Sequence, residues 1–212
     1  MGEQKPLPDR LNAFSDAVFA VIITILVLDL RPPHAASFDA LASLWPTAIS
    51  YTVSYIFIAI VWVNHHHVLR FAEVATSRLI WGNFAHLFTV SLIPFSTAWL
   101  ADTRMAAAPV SVYAGVFVLV NATYLLLCME TVDKSQSTLA PQQGMRTMMR
   151  VRSIVTLGIF LTASLIALKY PIAGMALICL CLLVYLRPGA PGEDARKASK
   201  PIFRIERESK TS

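Results

Sequence analysis

The sequence predicts an all-α integral membrane protein with six transmembrane helices per subunit. Of its 212 residues, 56% are hydrophobic and only 15% are charged, whereas charged residues make up about a quarter of an ordinary soluble domain. The charges lie between apolar blocks, so that stretches such as 53–63 and 110–120 contain none. Long apolar segments separated by charged residues are typical of chains that cross a bilayer repeatedly. This composition argues against a soluble enzyme.

Each predicted helix corresponds to one apolar segment. A transmembrane helix needs about 20 predominantly apolar residues, and four segments meet this requirement, over 11–30, 44–67, 79–100 and 110–130. The remaining apolar stretch is divided at Pro171, because proline has no N–H to donate inside a helix. We therefore predict a fifth helix over 149–169 and a sixth over 171–187. Residues 1–187 are expected to form one six-helix transmembrane domain, and residues 188–212 a disordered cytoplasmic tail.

The basic residues predict the orientation in the membrane. With six crossings and a cytoplasmic amino terminus, only Arg31, Arg104 and Lys169 fall on the outer side. Because cytoplasmic loops are enriched in Lys and Arg, both termini are expected in the cytoplasm of a multi-pass cell-membrane protein, at the inner membrane in a bacterium. The net charge of +5 has this explanation, since the basic residues form no aromatic-interleaved patch. Membrane lipids are expected partners, and nucleic acid is not.

The first helix has two distinct faces. Val21, Thr24, Ile25 and Leu28 recur at the i, i+3, i+4, i+7 spacing of a single stripe. Asp16 points away from this stripe. An ionised carboxylate inside a bilayer is costly unless it is paired or hydrated, so Asp16 is expected to face neighbouring helices. The sequence alone favours packing for such a stripe over a pore.

Asp16 needs hydrogen-bond donors, and the expected ones are Arg10, Asn64 and the histidines that follow Asn64. A structural clamp that ties the first helix to its neighbours is the favoured role. Direct contact with a permeating ion or proton stays open as an alternative. Ser15 is expected to bond the preceding helical turn or a neighbouring helix.

Three consecutive histidines close the second predicted helix, at His65, His66 and His67. Side chains one residue apart on a helix diverge by about 100°, so one tetrahedral ion cannot bind all three. A hydrogen-bonded network between helices is favoured. A metal site that combines one of them with His86 and Asp16, or a pH-sensitive network, are the alternatives.

The sequence carries none of the motifs that would predict an enzyme. It has no serine-nucleophile motif, no glycine-rich phosphate loop and no zinc-protease pattern. We therefore expect neither catalysis nor a cofactor. In the third helix, Pro94 is expected to produce a kink and to free a backbone carbonyl that Ser96 and Thr97 could satisfy.

The head of the first helix carries a more specific pattern, Arg10-x3-Phe14-Ser15-Asp16. With Thr24 eight residues on, it resembles the transmembrane protein 175 family of potassium channels, in particular the bacterial branch. The segment Trp62-x-Asn64-His65-His66 and the segment over 88–97 extend the similarity to nearly the whole membrane region.

The resemblance implies a homotetramer in which four copies of the first helix line a central pore. Carried over by position, the lining is the stripe of Val21, Thr24, Ile25 and Leu28. The structural motif and its polar network would comprise Arg10, Phe14, Ser15, Asp16, Asn64, His65 and His66. The implied function is passive conduction of K⁺ and other cations through a hydrophobic constriction that selects by the cost of dehydration. A proton-conducting channel or a proton-coupled secondary transporter, suggested by Asp16 and the histidines, is the alternative.

Overall fold

The structure, a computed structural model, describes residues 7–72, 74–132 and 143–186, and within these ranges the chain is all-helical. The predicted tail over 188–212 lies outside the described residues. The helices, in chain order, are α1 (Leu7–Leu28), α2 (Phe38–Ala42), α3 (Trp45–Leu69), α4 (Ser77–Ser91), α5 (Ile93–Asp102), α6 (Ala107–Thr131), α7 (Gln143–Ala167) and α8 (Pro171–Leu186).

Five helical segments of the described chain are long and apolar enough to cross a membrane. They are Asp9–Leu28, Trp45–Leu69, Ser77–Asp102, Ala107–Thr131 and Arg146–Ala167, and α8 is a shorter apolar helix. The bounds differ from the prediction at several points. α1 runs from Leu7 to Leu28 rather than over 11–30, α7 begins at Gln143 rather than near 149, and the short helix α2 was not predicted.

The third predicted helix, over 79–100, is interrupted at Leu92 and forms α4 and α5. Pro94, the second residue of α5, has no N–H for the carbonyl of Val90. The N–H of Leu92 donates to the carbonyls of Thr89 and Val90. The hydroxyls of Ser96 and Thr97 donate instead to the carbonyl of Ile93, at 2.9 and 2.7 Å. The break therefore occurs where the sequence predicts it, but its carbonyl is satisfied by backbone.

The helices pack in an order that separates α1 from α7 and α8. α1 packs mainly on α3, α4 and α5, whereas α7 packs mainly on α6 and α8. Aromatic rings fill the centre between these groups. Phe57 of α3 stacks on Phe117 of α6 with ring centroids 3.6 Å apart, and Phe160 of α7 meets both rings edge-on. In this packing order α3 contacts α1, α6 and α8, whereas α7 packs mainly on α6 and α8.

Candidate functional site

One face of α1 has no partner within the described residues of the chain. Val21, Ile25 and Leu28 are 54%, 45% and 79% exposed, and Thr24 between them is exposed as well. The Thr24 hydroxyl donates to the carbonyl of Val21 at 2.7 Å. Its oxygen therefore keeps its lone pairs for acceptance on the exposed side. The stripe predicted from helical spacing is an uncovered, mostly aliphatic surface.

The opposite face of α1 is built into the subunit core. Ser15, Phe19, Ile22 and Leu26 recur at helical spacing and are at most 3% exposed. Such a division between a packed face and an open one is expected when a helix also meets lipid or another chain.

Ser15 anchors the packed face through hydrogen bonds to two elements. Its hydroxyl donates to the carbonyl of Leu11 at 2.9 Å and accepts a bond of 2.9 Å from the amide Nδ2 of Asn83 on α4. The Oδ1 of Asn83 accepts from Nε2–H of His65 on α3 at 2.7 Å. All three side chains are fully buried. Asn83 thus joins three helices through one amide group.

A second histidine extends this network toward α6. The ring of His86 stacks on that of His65, with centroids 5.5 Å apart and 5° between the planes. Its Nδ1 lies 3.0 Å from the hydroxyl oxygen of Thr123, which lies 3.0 Å from that of Thr89. Continuous polar and ring contacts therefore link α1, α3, α4 and α6.

Asp16 has a different partner from those predicted. The indole Nε1–H of Trp62, on α3, donates to Oδ1 of Asp16 at 2.9 Å. Arg10 is exposed, and Asn64 lines a cavity of about 40 Å³ between α3, α6, α7 and α8. The expectation that Arg10, Asn64 or a histidine donates to Asp16 is therefore corrected to Trp62. The bond ties the start of α1 to the end of α3.

The three consecutive histidines have three separate surroundings. His65 meets Asn83, while Nδ1 of His66 accepts a long bond of 3.4 Å from the amide of Asn12 on α1. The ring of His67 meets Phe71 edge-on. In the part of the chain that the structure describes, no group of three or more His, Cys, Asp or Glu side chains is placed to hold a metal ion.

Comparisons with known proteins match this arrangement to one family of channels. The family model of the endosomal/lysosomal potassium channel TMEM175 matches residues 10–94, from α1 to the start of α5. In a crystal structure, a lysosomal potassium-selective channel TMEM175 homologue from Chamaesiphon minutus superposes with a TM-score of 0.77 at 26% identity. The match covers 86% of this chain and 98% of that one. The chain is thus similar in sequence to the TMEM175 family over residues 10–94, and in fold to a solved homologue of that family.

Two curated relatives carry descriptions that agree with this similarity. A potassium channel of Chryseobacterium sp. is 36% identical over 118 residues, which are 56% of this chain and 62% of the relative. An endosomal/lysosomal proton channel TMEM175 of Gallus gallus is 26% identical over 100 residues, 42% of this chain and 20% of that protein. The matched part thus spans about three fifths of the bacterial relative and one fifth of the avian one.

The polar contacts of α1 fall within the region that the TMEM175 family model matches. Ser15, Asp16, Trp62, His65 and Asn83 all lie in residues 10–94. Phe14 adds an aromatic contact there, with its ring 5.5 Å from that of Phe84.

Sequence reasoning did not single out Asn83 and did not assign a partner to Trp62. One signal for Asn83 was present, because it lies three residues before His86 and so shares a face of α4 with it.

Proposed function

We propose that this chain is the subunit of a potassium-permeable cation channel in which four copies of α1 surround a central path. The observation that carries the proposal is the uncovered stripe of Val21, Thr24, Ile25 and Leu28 on a helix whose other face is anchored in the core. Similarity to the TMEM175 family supports it, and the similar relative from Chryseobacterium is described as a potassium channel.

The proposal includes a topology of six crossings with both termini in the cytoplasm of a bacterial cell. α8 is the sixth crossing, and the excess of Lys and Arg on one side sets the orientation. In this orientation the N-terminal end of α1 faces the cytoplasm and Leu28 faces outward. No soluble partner and no cofactor are part of the proposal, and K⁺ is the permeating ion.

The aliphatic rings provide both a barrier and a filter. Four copies of Ile25 or Leu28 offer no oxygen in place of an ion's water, so an ion passes only through a wetted state or after partial dehydration. Na⁺ holds its water more tightly than K⁺, so the constriction favours K⁺ to a modest degree. The Thr24 oxygens, one turn from Val21, supply acceptors for a partly hydrated ion. The C-terminal ends of four α1 helices, each with roughly −0.5 charge, favour cations over anions.

The contacts around Ser15 and Asp16 act as a positioning clamp in this proposal. They fix the rotation of α1 about its own axis, and that rotation decides which side chains reach the central path. Asn83 and Trp62 come from α4 and α3, so a change in the packing of either helix is transmitted to the rings. The clamp itself touches no ion.

Substitution of the rings tests the proposal directly. Ile25→Asn or Leu28→Asn adds amide groups at the constriction, so water and ions enter more readily. We expect a several-fold increase in K⁺ flux from liposomes that contain only this protein. The permeability ratio of K⁺ to Na⁺, read from reversal potentials, should fall toward one.

Leu165→Asn is the matched control, because Leu165 is a leucine of α7 that is 63% exposed. It should leave flux and selectivity at wild-type values. If Leu28→Asn and Ile25→Asn assemble normally but also leave both quantities unchanged, α1 does not line the pore.

Proton conduction through the same path is the second candidate, favoured by the description of the Gallus gallus relative as a proton channel. The reversal potential, measured with the K⁺ gradient and the pH gradient in opposite directions, distinguishes conduction of K⁺ from conduction of protons. A reversal potential that follows the K⁺ gradient supports the first candidate, and one that follows the pH gradient supports the second.

A further inference from the structure

We propose that the groove between α7 and α8 binds an anionic phospholipid, with its phosphate on Arg152 and one acyl chain along the groove. The groove has a volume of about 500 Å³, within the range of sites that hold small molecules. Its walls are apolar side chains, including Val155 and Ile159 of α7 and Leu177, Leu180 and Val184 of α8.

The length of the groove matches one leaflet of a bilayer. Along α7 the lining runs from Met148 to Ile159, which is about 16 Å at 1.5 Å per residue. The hydrocarbon core of a bilayer is about 30 Å thick, so a lipid of one leaflet extends through about half of it. An acyl chain entering beside Met148 would end near Ile159.

A fixed cation lies at the end of the groove where α7 begins. The guanidinium of Arg152 lies 3.9 Å from the centre of the Tyr185 ring. The Tyr185 hydroxyl lies 2.9 Å from the Thr156 hydroxyl, which donates to the carbonyl of Arg152 at 2.8 Å. These contacts hold the guanidinium at the groove while its N–H groups remain available to an anion.

The charge pattern of α7 points to an anionic occupant. Arg146, Arg150 and Arg152 all fall in the first ten residues of α7. Within residues 7–72, 74–132 and 143–186, no carboxylate forms a salt bridge with Arg152. A phosphate supplies a counter-charge to Arg152, and basic pockets between helices on the cytoplasmic side are a known mode of anionic-lipid recognition.

The position of the groove in the assembly favours lipid over another subunit. α1 packs mainly on α3, α4 and α5, whereas α7 packs mainly on α6 and α8. If four α1 helices meet at an axis, the groove faces outward into the membrane. In this one respect the inference rests on the proposed function, and the experiment keeps the two apart.

Native mass spectrometry of the full chain with added lipid tests the inference. The probes are phosphatidylglycerol and phosphatidylcholine with identical acyl chains. We expect phosphatidylglycerol to remain bound preferentially. Arg152→Gln should weaken this binding about fivefold, the effect of one basic residue near a membrane surface. Arg78→Gln, which removes an exposed arginine from the first turn of α4, should bind like the wild type.

A steric pair of variants tests the acyl-chain position. Leu180→Trp places an indole in the groove, whereas Leu183→Trp adds the same group on an exposed residue of α8 outside it. The first should reduce bound phosphatidylglycerol and the second should not. Three results would overturn the inference. The two lipids could bind equally, or the two glutamine variants could bind phosphatidylglycerol equally. The third is that no lipid is retained, because the chain's own residues or a neighbouring subunit fill the groove.

The proposed channel function is tested separately from the lipid site. The same spectra give the number of subunits, and K⁺ flux is measured on the same preparations. Lipid binding that depends on Arg152 in an assembly without flux contradicts the channel and leaves the lipid site standing. Flux and four subunits without such binding contradict only the lipid site.

Discussion

At the scale of single residues, the bond between Trp62 and Asp16 is open to a direct test. A hydrogen bond to a charged group contributes about 1.5–3 kcal/mol to stability, and this one lies partly exposed at the end of the bundle. We expect Trp62→Phe to destabilise the folded protein by about 1–2 kcal/mol, because it removes the N–H and keeps an aromatic ring. Thermal unfolding in detergent measures the change.

Two further variants isolate that bond. Trp81→Phe removes an indole from an exposed residue of α4 and should have little effect. Asp16→Ala and Trp62→Phe should be strongly non-additive when combined, because each removes the same interaction. Additive losses would mean that the two side chains contribute independently.

The residue scale also shows where sequence reasoning stops. Helical spacing is enough to separate the stripe of Val21 and Leu28 from Asp16, because it depends on one helix alone. The partner of Asp16 depends on the position of α3 along α1 and on the rotation of α3 about its own axis. The spacing of residues within one helix does not determine either quantity. For this reason the sequence does not predict Trp62, a largely apolar residue two positions before Asn64, as the hydrogen-bond donor to Asp16. The pore-lining role of the stripe stays a prediction.

At the scale of elements, the close approach of α7 and α8 depends on Gly174. A Cβ at this position would lie 2.7 Å from Cβ of Ala167 and 2.9 Å from the carbonyl oxygen of Ala163. Since the second of these is backbone, the helices would have to move apart. We expect Gly174→Ala to cost about 1–3 kcal/mol, as overpacking does elsewhere, measured as a lower unfolding temperature.

Gly158 of α7 provides the matched control. A Cβ there meets nothing within 4 Å, so Gly158→Ala should be neutral or stabilise by about 0.5–1 kcal/mol through helix propensity. If both substitutions have the same effect, contact between α7 and α8 does not limit stability.

Among the helices, five of the six predicted apolar segments correspond to helices long enough to cross a membrane, but the predicted ends of several differ from those observed. Hydropathy marks where water is excluded, whereas the first and last turns of a helix depend on capping and on the depth of the membrane surface. α7 extends through Arg146 and Arg150 because long basic side chains can reach the headgroups. The sequence predicts a kink at Pro94, and the structure has a helix break at Leu92, whose hydrogen bonds follow from backbone geometry.

At the scale of the whole molecule, assembly is the decisive prediction. A homotetramer has four times the 23.4 kDa mass of one chain, and it brings four copies of Leu28 close to a common axis. With Cys128, Cys179 and Cys181 replaced by serine, Leu28→Cys should cross-link efficiently between subunits under mild oxidation. Electrophoresis under denaturing conditions then shows a dimer band.

Leu165→Cys on the same background is the comparison, because α7 is expected at the outside of the assembly. It should remain monomeric under the same oxidation. Cross-linking at Leu165 with none at Leu28 would reverse the arrangement of the bundle.

The shortness of α8 has a consequence for the surrounding bilayer. Its 16 residues extend about 24 Å as a helix, several ångströms less than the hydrocarbon thickness of about 30 Å. If α8 crosses the membrane at the outside of the assembly, lipids around it must thin to avoid hydrophobic mismatch, at a cost of fractions of a kcal/mol per ångström. In that case, membranes with longer acyl chains strain the region around α8, and bilayer thickness affects the conformation of the protein.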